Sequence, residues 1–437
     1  MRSRLNSNLQ QGFTLVELMV GLVIGLIATL VIMQTFSAFE GNKRSTTGIS
    51  DAQTSGNIGL YMVQRELQFA GYGIPVASGT LPTIKDENMP YKSNKFQSFS
   101  ASTPADLEAE MDAALATAKA AYEAQIAINT AQVQQGENYS ALRCDPAPHL
   151  YLDLDEDPGT APINVDVTTP AFITENGASD SITIIYGNTN RGSIPTRISS
   201  VDSATNKINV DTNISCRQDN VALILKDINK GHGNQCQAVR LKSSADGFNN
   251  AALDDDGNGD GVGKIVLVDP TTIDYSKVEP GDRLACIGKV QRITFAINGN
   301  QLTKDVNGSG AQPIVDEIVG LQAQYGLSAN ANSEIVDIDN PASWTDATGA
   351  WAAPLTVTNR NRIKAVRLAL IARNNLYEKD IVSQECNGAA SGPAKVCIWG
   401  GNAGLSATLG ADWNHYRYRV YELIVPLKNV LSASPQL

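Results

Sequence analysis

From Leu18 to Ala38 no charged side chain interrupts the chain. These 21 residues, at a rise of ~1.5 Å, make a helix of about 30 Å, the thickness of a bilayer core. A short polar leader, MRSRLNSNLQQ, carries Arg2 and Arg4 ahead of this run. Positive charge holds that end in the cytoplasm and sends everything past Phe39 across the membrane. Glu17 stands inside the apolar stretch, five residues after Gly12, where a carboxylate is costly unless an opposite charge meets it. A secretory signal would place a small-residue cleavage site after a shorter apolar core. Here the best scissile bond, Gly12-Phe13, lies before the core.

Past Phe39 the chain turns polar but keeps a helical rhythm, with Ile58, Tyr61, Met62, Leu67, Phe69 and the stem of Arg65 recurring at roughly 3.6 residues. This predicts an amphipathic second half-helix ended by Gly71, Gly73 and Pro75. Glycines 41, 48, 56 and 59 each cost about 1 kcal/mol of helix propensity, which predicts bends or local melting there. Residues 103–135 read as a separate helix. Thr103 caps it, Pro104 suits its first position, and Asp106, Glu108 and Glu110 favour its positive end. Its apolar stripe (Leu107, Met111, Leu115, Tyr122, Ile126, Ile128) is thin, so it reads as a peripheral structural helix or a partner-docking one.

From His149 onward short β-rich runs alternate with Gly, Asn, Asp and Pro. They cover 163–167, 181–186, 197–201, 207–210, 221–225, 238–241, 264–268, 284–297 and 314–325, and the strongest are 363–372 and 416–427. This spacing predicts antiparallel sheet. In the run from Ile363 to Ala372 the apolar positions do not alternate cleanly, so both faces are expected to be covered.

Composition narrows the chemistry. The 437 residues carry a formal net charge of -11, and loss of Arg2 and Arg4 with the leader would make it more negative still. No Lys/Arg cluster suits a nucleic acid. Six cysteines in an exported chain predict disulfides, for which fifteen pairings are open. The close pairs Cys216/Cys236 and Cys386/Cys397 bracket turn-rich segments and are favoured, leaving Cys144 with Cys286 by elimination. There is no Cys-x-x-Cys, and His149, His232 and His415 are the only imidazoles, which argues against zinc.

One stretch has the look of a ligand loop. Asp254, Asp256, Asn258 and Asp260 alternate among glycines and can turn oxygens onto one ion, for which calcium is the natural candidate. Counting from Asp254 or Asp256 puts Ile265 or Leu267 at the twelfth position, so the loop is not an EF-hand. The competing reading is an acidic turn screened by water and salt. Asp153 to Asp157 reads as a solvated strand end. No Gly-x-Ser-x-Gly, His-Glu-x-x-His or phosphate-cradling glycine loop occurs, so the chain is not expected to be an enzyme.

The basic leader, Gly12 and then Phe13-Thr14-Leu15-Val16-Glu17 resemble the class III signal of type IV pilins and type II secretion pseudopilins. The segment Glu66-Leu67-Gln68-Phe69-Ala70-Gly71-Tyr72 is similar to the end of the long helix in PilW-type minor pilins, and J-type pseudopilins are related. Glu317 to Gly326, Arg362 to Arg373 with Trp344 and Trp351 upstream, and Tyr416 to Tyr421 are similar to further PilW phrases. The resemblance implies that a prepilin peptidase cuts after Gly12 and methylates Phe13. It implies too that Glu17 pairs with the N-terminal amine of a neighbouring subunit, and a buried charge does need such a partner.

The expected fold is α+β. A leader (1–12) precedes a transmembrane half-helix (13–40) and an amphipathic half-helix (41–73). These pack on a β-rich antiparallel globular domain (74–437) bearing the 103–135 insertion. The resemblance implies a minor pilin, anchored in the inner membrane of a Gram-negative bacterium with its domain periplasmic. It would join other minor pilins, the major pilin and a tip adhesin in a complex that primes the fibre near its tip. Twitching, DNA uptake and attachment all remain open as its use. The alternatives are a J-type pseudopilin, or an adhesin or ligand-binding module carried on a pilin helix.

Overall fold

The computed structural model describes residues 14–74, 144, 149–152, 163–166, 169–177, 179–189, 193–218, 220–226, 236–242, 263–330, 336–402, 410 and 412–431. Gly12, Phe13, the expected helix at 103–135 and the acidic stretches at 153–157 and 254–260 lie outside these residues.

The apolar run folds into α1, Leu15–Phe69, one continuous helix of 55 residues and about 80 Å. No melting occurs at glycines 41, 48, 56 or 59, contrary to the propensity argument. Tertiary packing outweighs their cost from Gly48 onward, as shown below. The helix ends where expected: Ala70 leaves the helical region, and Gly71 and Gly73 take φ of +75° and +74°, angles open to glycine because it lacks a Cβ.

Behind α1 lie two main sheets. β3 (Ala171–Thr174), β4 (Ser181–Asn188), β5 (Thr196–Asp202), β6 (Lys207–Val210), β7 (Val221–Leu225), β8 (Cys236–Arg240), β9 (Ile265–Leu267), β10 (Arg283–Asn298), β11 (Gln301–Val306) and β12 (Gln312–Asp316) make a ten-stranded antiparallel sheet. Its hub is β10, whose first half pairs with β5 and β7 and whose second half pairs with β4 and β11. The second sheet has four strands in the order β14 (Trp344–Thr345), β13 (Ile318–Leu327), β15 (Ile363–Arg373), β19 (Tyr418–Pro426), all antiparallel. A separate pair joins β1 (His149–Leu152) to β2 (Ile163–Asp166).

The sequence run 314–325 is two strands rather than one. Glu317 adopts a left-handed φ of 67° and breaks the ladder there, so β12 stays in the large sheet while β13 enters the small one. One face of the small sheet packs on α1, with Leu321, Leu368 and Leu370 joining Val63 and Leu67 in one core. The other face, with Val319, Ala369 and Ile371, is covered by Val396 and Ile398. These come from β17 (Ala394–Ile398), which sits between β16 (Ser383–Glu385) and β18 (Gly401–Asn402). Both faces of β15 are therefore covered, as its imperfect alternation predicts. A short helix α2 (Val357–Arg362) leads into β15, and α3 (Lys428–Leu431) follows β19.

The bridges are Cys144–Cys236, Cys216–Cys286 and Cys386–Cys397. The last is the expected one, and the other two correct the pairing by proximity. In the β7–β8 ladder Cys236 sits opposite Leu225, while Cys216 lies just before Val221 at the strand's other end. About four residues of strand, some 13 Å, keep them apart. Cys286 stands opposite Ala222 on β10, within reach of Cys216.

Candidate assembly surface

The two halves of α1 meet different surroundings. From Leu15 to Phe39 every large apolar side chain is exposed, and Gly21 and Gly25 face nothing within 4 Å. Thr29 and Thr35 turn their hydroxyls inward and donate to the carbonyls of Gly25 (2.7 Å) and Val31 (2.8 Å), which satisfies both hydroxyls within the helix, as an apolar solvent favours. At the head of this surface Glu17 closes a capping box. Its Oε2 accepts from the Thr14 amide and hydroxyl, both at 3.2 Å, while the Glu17 amide donates to Thr14 Oγ1 at 3.2 Å. The carboxylate thus points back toward the start of the helix, one residue from the expected new N-terminus, and remains open to solvent.

The second half buries a stripe of small residues. Gly48, Ala52, Gly56, Gly59, Val63 and Leu67 recur at helical spacing against β15 and β19. A Cβ on Gly56 would overlap the Tyr421 ring, one on Gly48 would lie 2.8 Å from Asn374 Cγ, and one on Gly59 3.3 Å from Leu302 Cδ2 and Leu370 Cδ1. The larger residues at Ile58, Tyr61 and Phe69, which the periodicity put toward the core, face out instead. Glycine carries no side chain for a hydrophobic pattern to register, so of the packed face that reading caught only Leu67 and the half-buried Met62.

The Glu66 to Tyr72 phrase acquires a structural meaning. Glu66 is buried and its Oε1 meets Lys304 Nζ at 2.8 Å, while the Tyr186 hydroxyl donates to Oε2 at 3.2 Å. Burial, with the Glu66 charge beside it, pushes the Tyr186 phenol up to about 12. Leu67 and Ala70 are in the core. The Gly71 amide then donates to the Ile185 carbonyl and the Gly187 amide to the Tyr72 carbonyl, tying the helix end to β4. In the arginine-tryptophan region, Arg367 lies between Trp344 and Trp399, 4.9 and 4.1 Å from their ring centres, and Arg362 lies over Trp351 at 5.3 Å. These stacked cations pin the neighbouring loops to β15.

A third contact joins the sheets. The Asp180 amide donates to the Leu321 carbonyl, and Asp180 Oδ2 accepts from the Ala323 amide at 2.8 Å, so the lead-in to β4 completes the edge of β13. Burial pushes this carboxyl up to about 7, opposed by the Ala323 amide and reinforced by the Glu175 and Asp346 charges.

No group of three or more His, Cys, Asp or Glu able to hold a metal occurs among the described residues. The Asp254, Asp256, Asn258 and Asp260 loop lies outside them.

Residues 288–429 match the family model of PilW, type IV pilus-assembly protein W. Residues 7–33 match the prokaryotic N-terminal methylation motif. No curated protein sequence matches. A solved type IV-like pilin from Thermus thermophilus is similar at 15% identity over 33% of this chain and 70% of that one, with a TM-score of 0.21. The apolar helix, the β-rich domain behind it and the two family matches together make the chain a type IV pilin-like protein with an N-terminal methylation motif and a PilW domain.

Proposed function

We propose that the chain is a minor pilin of a type IV pilus, cut between Gly12 and Phe13 by a prepilin peptidase, methylated on Phe13, and held in the inner membrane by α1 until it enters the fibre. With other minor pilins it primes assembly, and it stays near the tip. The observation that carries this reading is the contrast within α1, whose back half is packed by its own domain and whose front half exposes apolar surface that lipid or neighbouring helices must cover. Glu17 sets register. Wherever a neighbour's terminal ammonium is absent, a buried carboxylate costs several kcal/mol, and mismatched positions are rejected.

Mass spectrometry of the protein recovered from sheared fibres tests this. The expected N-terminus is an N-methylated Phe13. A chain beginning at Met1 in fibres, or no chain there at all, overturns the reading.

A further inference from the structure

The strand β15 runs alongside α1 toward its apolar half. Leu370 packs at Gly59 and Asn374 at Gly48, so four residues of strand (about 13 Å) keep pace with eleven of helix (about 17 Å). β19 returns the other way, with Tyr421 at Gly56 and Asn429 donating to the carbonyls of Gln68 and Ala70. The connection from β15 to β19 therefore turns at the end of the domain that faces the apolar half-helix.

Its first turn is held firmly. The Glu378 amide donates to the His415 carbonyl and the Val382 amide to the Asn414 carbonyl, both at 2.9 Å. Arg417 pairs with the Glu378 carboxylate. The Tyr377 ring stacks on His415, 4.9 Å between centres, and meets Tyr416 edge-on at 5.6 Å. From this frame Tyr377 and Ile381 project 51% and 55% exposed, flanked by exposed Lys379 and Asp380.

Their height follows from the strand. β19 starts at Tyr418, three residues or about 10 Å before Tyr421, which corresponds to about seven helical residues before Gly56. About ten helical residues, some 15 Å, then separate that level from Phe39. A headgroup layer takes about 5–7 Å of this, and the turn 374–382 lies on the membrane side of the Arg373–Tyr418 pair that ends the ladder.

We propose that the loop 374–382 is a lipid-contacting surface. Tyr377 and Ile381 rest in the headgroup layer of the bilayer that α1 crosses, with Lys379 and Lys43 at the same level to meet lipid phosphates. An amphipathic ring beside an aliphatic side chain suits that layer, and the surface is at the end of the domain that faces the apolar half of α1. The proposal rests on the reading of α1 as a membrane anchor. It gives the domain a fixed stance on the membrane before assembly, and entry into the fibre breaks the contact.

The described cysteines are all bridged, so an introduced thiol can be labelled selectively. The full chain is reconstituted into phosphatidylethanolamine/phosphatidylglycerol vesicles with an environment-sensitive fluorophore on I381C, I338C or V23C. Ile338 is also 55% exposed. It lies at the opposite end of the domain, where its carbonyl accepts from Trp344 Nε1 near the end of β13. The expected result is a blue-shifted emission at position 381, quenched by a spin label on the lipid headgroup, with water-like emission at 338 and acyl-chain quenching at 23. Water-like emission at both 381 and 338, with 23 still in the acyl chains, overturns this proposal and leaves the anchor intact. Water-like emission at all three positions overturns both.

Discussion

The front and back halves of α1 belong to one uninterrupted helix and solve opposite problems. In the back half glycine is the contact residue, since Gly56 admits the Tyr421 ring and Gly59 admits Leu302 and Leu370. In the front half Gly21 and Gly25 face open space between exposed leucines, isoleucines and valines. Small residues bring a helix close to its own sheet, whereas large apolar ones wait for a surface the chain does not supply. The two halves also treat acids differently. Glu66 has Lys304 and Tyr186 built around it, while Glu17 has its own capping box and an open flank.

The largest expected effect comes from forcing bulk into the back half. Gly56→Leu should cost more than ~3 kcal/mol, beyond ordinary overpacking because even a Cβ has no room. Gly25→Leu meets no atom and should lose nothing, gaining up to about 1 kcal/mol of helix propensity. Thermal melts of the full chain in detergent compare the two, and equal losses would erase the distinction between the halves.

Next is the ion pair. Lys304→Met strands the Glu66 carboxylate and should cost about 2–3 kcal/mol, below the 3–5 kcal/mol of a fully buried pair because Lys304 keeps some water. Pairing it with Glu66→Gln should recover more than half of the loss. A double variant as unstable as the single would show that the charge is not what matters.

Asp180 sharpens the contrast between buried and open acids. Its carboxyl is raised from 3.8 to about 7 in the fold, so between those pH values the folded state holds a proton that the unfolded chain has released. Its contribution to stability is full below pH ~4 and declines by about 1.4 kcal/mol per pH unit as pH rises toward 7, then levels off. Asp180→Asn should flatten that slope in melts from pH 4 to 8. An unchanged slope would place the titration elsewhere.

Much of this was legible in the sequence, for physical reasons that can be traced. The membrane-length run, the strands and the stop at Gly71 announce themselves through side-chain pattern and turn chemistry, and the bounds of β6 and β7 match their runs residue for residue. Three features were hidden. The glycine stripe of α1 has no hydrophobic signal. Glu317 looks like any strand residue until its left-handed φ turns the chain from one sheet to the other. The bridges of Cys144 and Cys216 depend on strand order, because β7 pairs with both β8 and β10 and carries Cys236 to one end and Cys286 to the other.

Glu17 should matter little to the fold: its loss should remove one helix-capping interaction worth about 1 kcal/mol and nothing from the domain. Its effect on assembly should be the reverse, and an immunoblot of membrane and sheared-fibre fractions from cells carrying Glu17→Ala measures it directly. The account predicts a processed protein that remains in the membrane and is depleted from the fibre. Parent-level amounts in the fibre would contradict it.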